Sequence, residues 1–261
     1  MRRWLFFTYG AVAHTLFFGV FAYLAGFVGN LMVPKSIDSA ADGPIGTAIV
    51  IDVLLLALFA AQHSIMARPG FKRYWTRIVP EPIERSTYVL LSCLVTIVLM
   101  WQWRGIDVIV WDVRQPVFRG LMWGLFVIGW LLVPLTSVLI NHFDLFGTRQ
   151  VWLHLRGREY EALPFRVPLF YKYVRHPLYV GFMVAFWATP TMTIGHLVFA
   201  VGLTSYMIGA TLLEERDLLA HFGEQYAYYR RHVPKFIPRW KASLPAPSQT
   251  THAAEPEPLQ V

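Results

Sequence analysis

Tyr171-Lys172-Tyr173-Val174-Arg175-His176-Pro177-Leu178-Tyr179-Val180-Gly181 closes a basic, polar stretch and opens a long apolar one. The apolar run extends from about His176 to Met192, turns at Thr193-Ile194-Gly195 and returns from about His196 to Leu213. Directly beyond it stand Glu214-Glu215-Arg216-Asp217-Leu218, then His221-Phe222-Gly223 and Tyr226 to Tyr229. Roughly 20 apolar helical residues cross a bilayer core, so each arm is of membrane length. Folding the hairpin back on itself brings both sets of charged and aromatic residues to one membrane surface. The stretch thus predicts a membrane helix bundle with a polar site at the feet of its last hairpin.

The rest of the chain agrees with a membrane setting. Of its 261 residues 56% are hydrophobic and only 15% charged, against about 25% charged in a soluble domain. Further apolar runs cover about Leu5 to Gly29, Pro44 to Met66, Ser86 to Trp103 and Arg119 to Ile140. The fold class expected is an all-α, polytopic integral membrane bundle of six spans, or five with one re-entrant or tilted piece. Residues 1–140 form its four-span N-terminal part. Residues 141–241 hold the polar loop, the hairpin and the C-terminal helices, and the Pro-, Ala-, Ser- and Thr-rich residues 242–261 read as a disordered tail.

Charge sets the orientation. The basic residues concentrate before Leu5, between Arg68 and Arg85, between Asn141 and Arg175, and after Glu214. The positive-inside rule puts those segments and both termini in the cytoplasm. The formal charge of +7 follows span ends, which suits anionic lipid and not nucleic acid.

Several familiar chemistries are absent from the pattern. No Gly-rich phosphate loop occurs. The single cysteine, Cys93, lies mid-span, which excludes a disulfide framework and a cysteine metal site. His63, His142, His176 and His221 fall on different segments without an i, i+4 pair, so no metal site is expected. What remains is a convergence at the cytoplasmic face of His63 and Ser64, of Asn141, His142 and Asp144, and of the two hairpin feet. Ionisable residues at membrane depth are costly and point to function.

The ordered set Arg175-His176-Pro177-Leu178-Tyr179-Val180-Gly181, Glu214-Glu215, Leu218, Phe222-Gly223, Tyr226, Tyr229 and Val233-Pro234 resembles the C-terminal signature of the isoprenylcysteine carboxyl methyltransferase and phospholipid methyltransferase superfamily. Upstream, Val33-Pro34-Lys35-Ser36-Ile37-Asp38-Ser39, Gln62-His63-Ser64, Glu84-Arg85-Ser86-Thr87-Tyr88 and Asn141-His142-Phe143-Asp144 are similar to the bacterial methanethiol S-methyltransferases, a pattern shared in part by NnrU-like membrane proteins. The resemblance implies S-adenosyl-L-methionine as methyl donor, S-adenosylhomocysteine as product, a small thiol as acceptor and dimethyl sulfide as the methylated product. It places the enzyme in the bacterial inner membrane among lipid, with no obligate protein partner.

Carried onto this chain, the resemblance assigns the cofactor to Leu163, Phe165, Arg166, Tyr171, Arg175, His176, Pro177, Leu178, Tyr179, Glu214 and Glu215. The carboxylates suit an ammonium or ribose hydroxyls, and the helix start at Pro177 suits a carboxylate. The thiol must lose its proton to become a nucleophile. Two bases are expected from the residues: His142 with Asp144, and His63, either oriented by Asp38 should its loop reach that depth. Topology instead puts Asp38 on the far side of the membrane, and that conflict stands at this level. A lipid or prenylcysteine carboxylate as acceptor, and a non-enzymatic NnrU-like role, are the alternative readings.

Overall fold

A computed structural model describes residues 1–40 and 43–238. The tail expected over 242–261 lies outside the described residues. Among the described residues five helices are long and apolar enough to cross a membrane: α1 (Arg2–Gly29), α2 (Ile45–Ala67), α4 (Glu81–Gln102), α5 (Pro116–Ile140) and α9 (Ile194–Phe222). Short helices α3 (Pro69–Trp75), α6 (His142–Leu145), α7 (Thr148–Leu155) and α10 (Glu224–His232) lie outside the spans, and α8 (Pro177–Trp187) joins α5 to the last long helix.

The fifth span differs from the sequence expectation. The stretch His176–Met192 forms only the 11-residue α8, followed by extended residues that include strand β2 (Thr191–Thr193). An 11-residue helix rises about 16 Å, roughly half a hydrocarbon core. The chain still passes from one end of the bundle to the other, because β2 pairs antiparallel with β1 (Ile109–Asp112), which lies between α4 and α5. Six passages are therefore made, five by long helices and one by a short helix plus extended backbone. Trp111 donates to the Thr189 carbonyl, and Thr189 to that of Thr191, which satisfies part of the non-helical stretch.

The short α8 is held because it packs very closely on α5. A Cβ on Gly129 would lie 2.6 Å from the Ala185 nitrogen and 2.7 Å from the Gly181 oxygen. Two glycines facing each other let the backbones touch, the usual device where lipid supplies no hydrophobic drive for helix association. Around this contact the core is aromatic: Trp130 meets Phe182 and Phe186 edge to face, and Phe186 meets Phe199 of α9 in the same way. Leu54, Leu121, Ile128, Leu131 and Leu212 face outward, as lipid-facing positions do.

The two ends of the bundle differ in character. At one end, here the strand end, β1 and β2 meet the loop after α1, and Ala40 bridges to Gly105. At the other, the site end, α2, α5 and α9 finish and α4 and α8 begin. Arg68 at the foot of α2 reaches Asp217 of α9 at 2.7 Å, locking two of these feet together.

Candidate active site

Pro177 starts α8 at a position where its missing N–H costs nothing. Just before it the backbone is pinned from outside the helix. The Arg175 N–H donates to the Pro234 carbonyl at 2.9 Å and the His176 N–H to the Lys235 carbonyl at 3.3 Å. The segment after α10 thus returns to lie along the motif. Opposite it, α9 runs past membrane length, so its last turns carry charge.

Glu215 is the hub. It is buried, and one oxygen accepts from Arg175 Nε at 2.9 Å and faces His176 Nε2 at 3.0 Å, while Lys235 stands 3.6 Å from the other. Arg175 also donates to the carbonyls of Arg230 and Val233. These side chains come from the start of α8, the end of α9 and the segment after α10. Glu214 is different: its side chain is 41% exposed, accepts from the Tyr179 hydroxyl at 3.0 Å and stands 3.8 Å from His176 Nδ1. Tyr179 lies parallel to the His176 ring at 5.6 Å. The two hairpin feet do meet, and the two adjacent glutamates have different partners.

Tyr171 belongs to the same corner. Its carbonyl accepts from the Tyr229 hydroxyl at 2.6 Å. Burial, then the Glu214 charge, raises its phenol pKa, keeping it protonated. Phe165 packs with Phe222, Tyr226 and Tyr229, which fixes the preceding loop against α10. Leu178 sits in the first turn of α8 and is half-buried.

A cavity of about 860 Å³ opens at the site end, walled by Leu163, Phe165, Arg166, Asp144 and Leu218 among others. Lys72, Glu84 and Arg85 close it on the α3–α4 side. Glu84 is 8% exposed and its Oε1 is buried without a partner. Burial lowers the Lys72 ammonium pKa. His176, Glu214 and Glu215 do not line this cavity. Glu214, Leu218 and His221 do fall on one face of α9 at helical spacing, so Glu214 stands one turn above the cavity wall.

The acceptor-side expectations need correction. His142 does not pair with Asp144. Its Nε2 lies 2.8 Å from Nε2 of His14 on α1, and its Nδ1 lies 2.7 Å from Ser137 Oγ. Phe146 and Phe18 pack on this pair, and burial lowers the His142 pKa. Asp144 turns the other way: Arg149 sits 3.0 Å and Tyr160 3.2 Å from it. An aspartate two residues along a short helix points about 200° around the axis, so the sequence neighbours face apart.

Asp38 does not orient either histidine. Its carboxylate accepts from Asn30 Nδ2 at 2.6 Å and from the Thr193 hydroxyl, the N-cap of α9. From Thr193 to Glu215 is about 33 Å of helix. Asp38 therefore belongs to the strand end.

His63, the other expected base, packs between α2 and α4. Its Nε2 lies 2.8 Å from the Tyr88 hydroxyl and its Nδ1 3.2 Å from Ser92 Oγ. The sequence motifs contain Tyr88 without a role for it, end one residue short of Lys235 and leave out His14. The available signals were a tyrosine three residues after Arg85 at a span start, a lysine directly after Val233-Pro234, and a lone histidine inside an apolar run.

The profile of the family described as NnrU protein matches residues 52–236. A methanethiol S-methyltransferase of Mycobacterium tuberculosis is 52% identical over 238 residues, covering 91% of this chain and 98% of the relative. One from Crocosphaera subtropica is 50% identical over 230 residues, covering 88% and 90%. Nurim of Bos taurus is 30% identical over 186 residues, covering 68% and 70%. No solved structure matches the chain.

Proposed function

The chain belongs to the NnrU family and to that of the methanethiol S-methyltransferases, and on that premise we propose that it methylates methanethiol to dimethyl sulfide, with S-adenosyl-L-methionine as donor. The observation that carries the reading is the match along almost the full length of a protein of that name. The site geometry agrees with it.

The residues fit the donor. A cavity of about 860 Å³ lies within the roughly 300–1,000 Å³ typical of small-ligand pockets. Its wall combines aromatic Phe165 and Tyr160 with Arg166, Glu81 and Glu84, suiting a ligand that has an aromatic ring, a carboxylate and an ammonium. In this reading residues 141–241 supply most of the donor site and residues 1–140 the acceptor side. Glu214, half-exposed and accepting from Tyr179 with His176 Nδ1 3.8 Å away, is the carboxylate left to take an ammonium or ribose hydroxyl. Glu215, saturated by Arg175, His176 and Lys235, braces the hairpin feet. Leu163 and Arg166 hold the outer part of the ligand, and Arg175, Pro177 and Leu178 fix the helix start that faces it.

When bound, the donor supplies an electrophilic methyl group on a sulfonium. The protein's task is to deliver a thiolate to it in a dry pocket. Charge is neutralised as a thiolate meets a sulfonium, so an apolar surrounding favours the transition state over the separated ions. The bundle gives an apolar thiol a hydrocarbon route in, and the cavity gives a charged donor an aqueous one.

The site end carries Arg68, Lys72, Arg73, Arg77 and Arg85 before α4, and Arg149, Arg156, Arg158 and Arg166 after α5. The positive-inside rule then makes it cytoplasmic, with both termini on that side of the bacterial inner membrane. Purified protein given methanethiol and S-adenosyl-L-methionine should release dimethyl sulfide, read by headspace gas chromatography. Calorimetry should show binding of S-adenosylhomocysteine. Binding without dimethyl sulfide would keep a methyltransferase and remove this acceptor.

A further inference from the structure

From the geometry around His63 we infer that Tyr88 and His63 form the proton relay that ionises the acceptor thiol, an inference that rests on the methyltransferase reading and deepens it. The hydroxyl of Tyr88 lies 2.8 Å from His63 Nε2, the shortest polar contact of that ring. Ser92 Oγ meets His63 Nδ1 at 3.2 Å and also accepts from Gln62 Nε2 at 3.3 Å. The relay uses the tautomer in which Ser92 Oγ accepts from both donors, so that Nδ1 keeps its proton and Nε2 accepts from Tyr88. Phe59 stacks on the imidazole at 5.3 Å and holds its plane.

The pair does not itself line the cavity but is joined to its wall. Arg85, a wall residue of the cavity, places its guanidinium 4.9 Å from the centre of the Tyr88 ring. Tyr206 of α9 meets the His63 ring edge on, and Tyr179 donates to Glu214 at 3.0 Å. Ser64, next to His63, donates to the Tyr206 hydroxyl at 3.3 Å. Tyr88 thus stands between the cavity wall and His63. His142 has no such connection: both its ring nitrogens are taken by His14 and Ser137.

The step balances. The thiol proton passes to the Tyr88 oxygen while the Tyr88 proton passes to His63 Nε2. The thiolate sulfur then bonds to the methyl carbon as the sulfonium carbon–sulfur bond breaks, leaving its electron pair on the departing sulfur. The proton on His63 leaves to solvent after the thioether departs.

The test compares two acceptors on the full chain. Methaneselenol has nearly the size of methanethiol and is far more acidic, so it arrives ionised and needs no base. Tyr88→Phe and His63→Gln should keep S-adenosylhomocysteine affinity within about twofold by calorimetry. Each should slow methanethiol methylation by about 100-fold or more, the range of general acid–base catalysis, and methylate methaneselenol within about threefold of wild type. Equal losses with both acceptors would mean a structural role and overturn the relay, as would Tyr88→Phe turning over methanethiol at the wild-type rate. Wild-type protein inert to both acceptors would instead overturn the methyltransferase reading on which the relay stands.

Discussion

His14 and His142, on α1 and α6, are joined through their Nε2 atoms across 2.8 Å in a pocket of phenylalanines. One ring must donate and the other accept, so the pair requires at least one neutral imidazole. It ties the first helix to the corner after α5, and nothing in it faces the cavity.

Stability should therefore fall in acid. The pKa of His142 lies below its ordinary 6.5 because burial disfavours the imidazolium. A depressed folded value means the unfolded chain binds more protons below about pH 6.5. The contribution is complete above that pH and is lost as pH drops toward the folded value. The thermal midpoint in detergent, followed from about pH 8 to about pH 5, should decline more steeply in wild type than in His142→Asn. The substitution should lower stability by roughly 1–3 kcal/mol and leave the ratio of methanethiol to methaneselenol rates unchanged.

The adjacent glutamates should separate cleanly. Glu215→Gln removes the carboxylate shared by Arg175, His176 and Lys235. Breaking a buried charge network costs about 3–5 kcal/mol, so a drop in thermal midpoint should accompany lost ligand binding. Glu214→Gln should leave the midpoint almost unchanged and weaken S-adenosylhomocysteine binding about tenfold or more. A Glu214→Gln protein with unaltered affinity would show that this carboxylate does not hold the donor.

The close α5–α8 crossing predicts coupling between packing and binding. Gly129→Ala forces a methyl group against the Ala185 nitrogen and the Gly181 oxygen. Backbone cannot yield as a side-chain tip does, so about 1–3 kcal/mol of destabilisation is expected. Because α8 carries His176 and Tyr179, affinity for S-adenosylhomocysteine should fall with the midpoint. Gly124→Ala, where an added Cβ meets nothing within 4 Å, should change neither.

Asp38→Asn tests the strand end. Its bonds to Asn30 and Thr193 hold the loop after α1 against the start of α9. Loss of a charged hydrogen-bond acceptor should cost about 1.5–3 kcal/mol, read as a lower midpoint with donor affinity retained. Abolished binding at an unchanged midpoint would place Asp38 in the active site after all.

By itself the sequence determined the membrane character, the order of the long helices and the meeting of Arg175-His176-Pro177 with Glu214-Glu215. These follow from one-dimensional properties: apolar length against bilayer thickness, and the short return of a hairpin whose feet must share a surface. It also led to the loop at Leu163–Arg166 that walls the cavity. Only the tertiary structure decided which glutamate is braced and which is free, since neighbouring helical residues differ by about 100° of rotation. The same rotation turned Asp144 away from His142. Partners 128 residues apart, such as His14 and His142, depend on how helices pack side by side, which no local pattern encodes. The contact between Tyr88 and His63 is of that kind: α2 and α4 had to be set against each other before a tyrosine of one span and a histidine of another came within 2.8 Å.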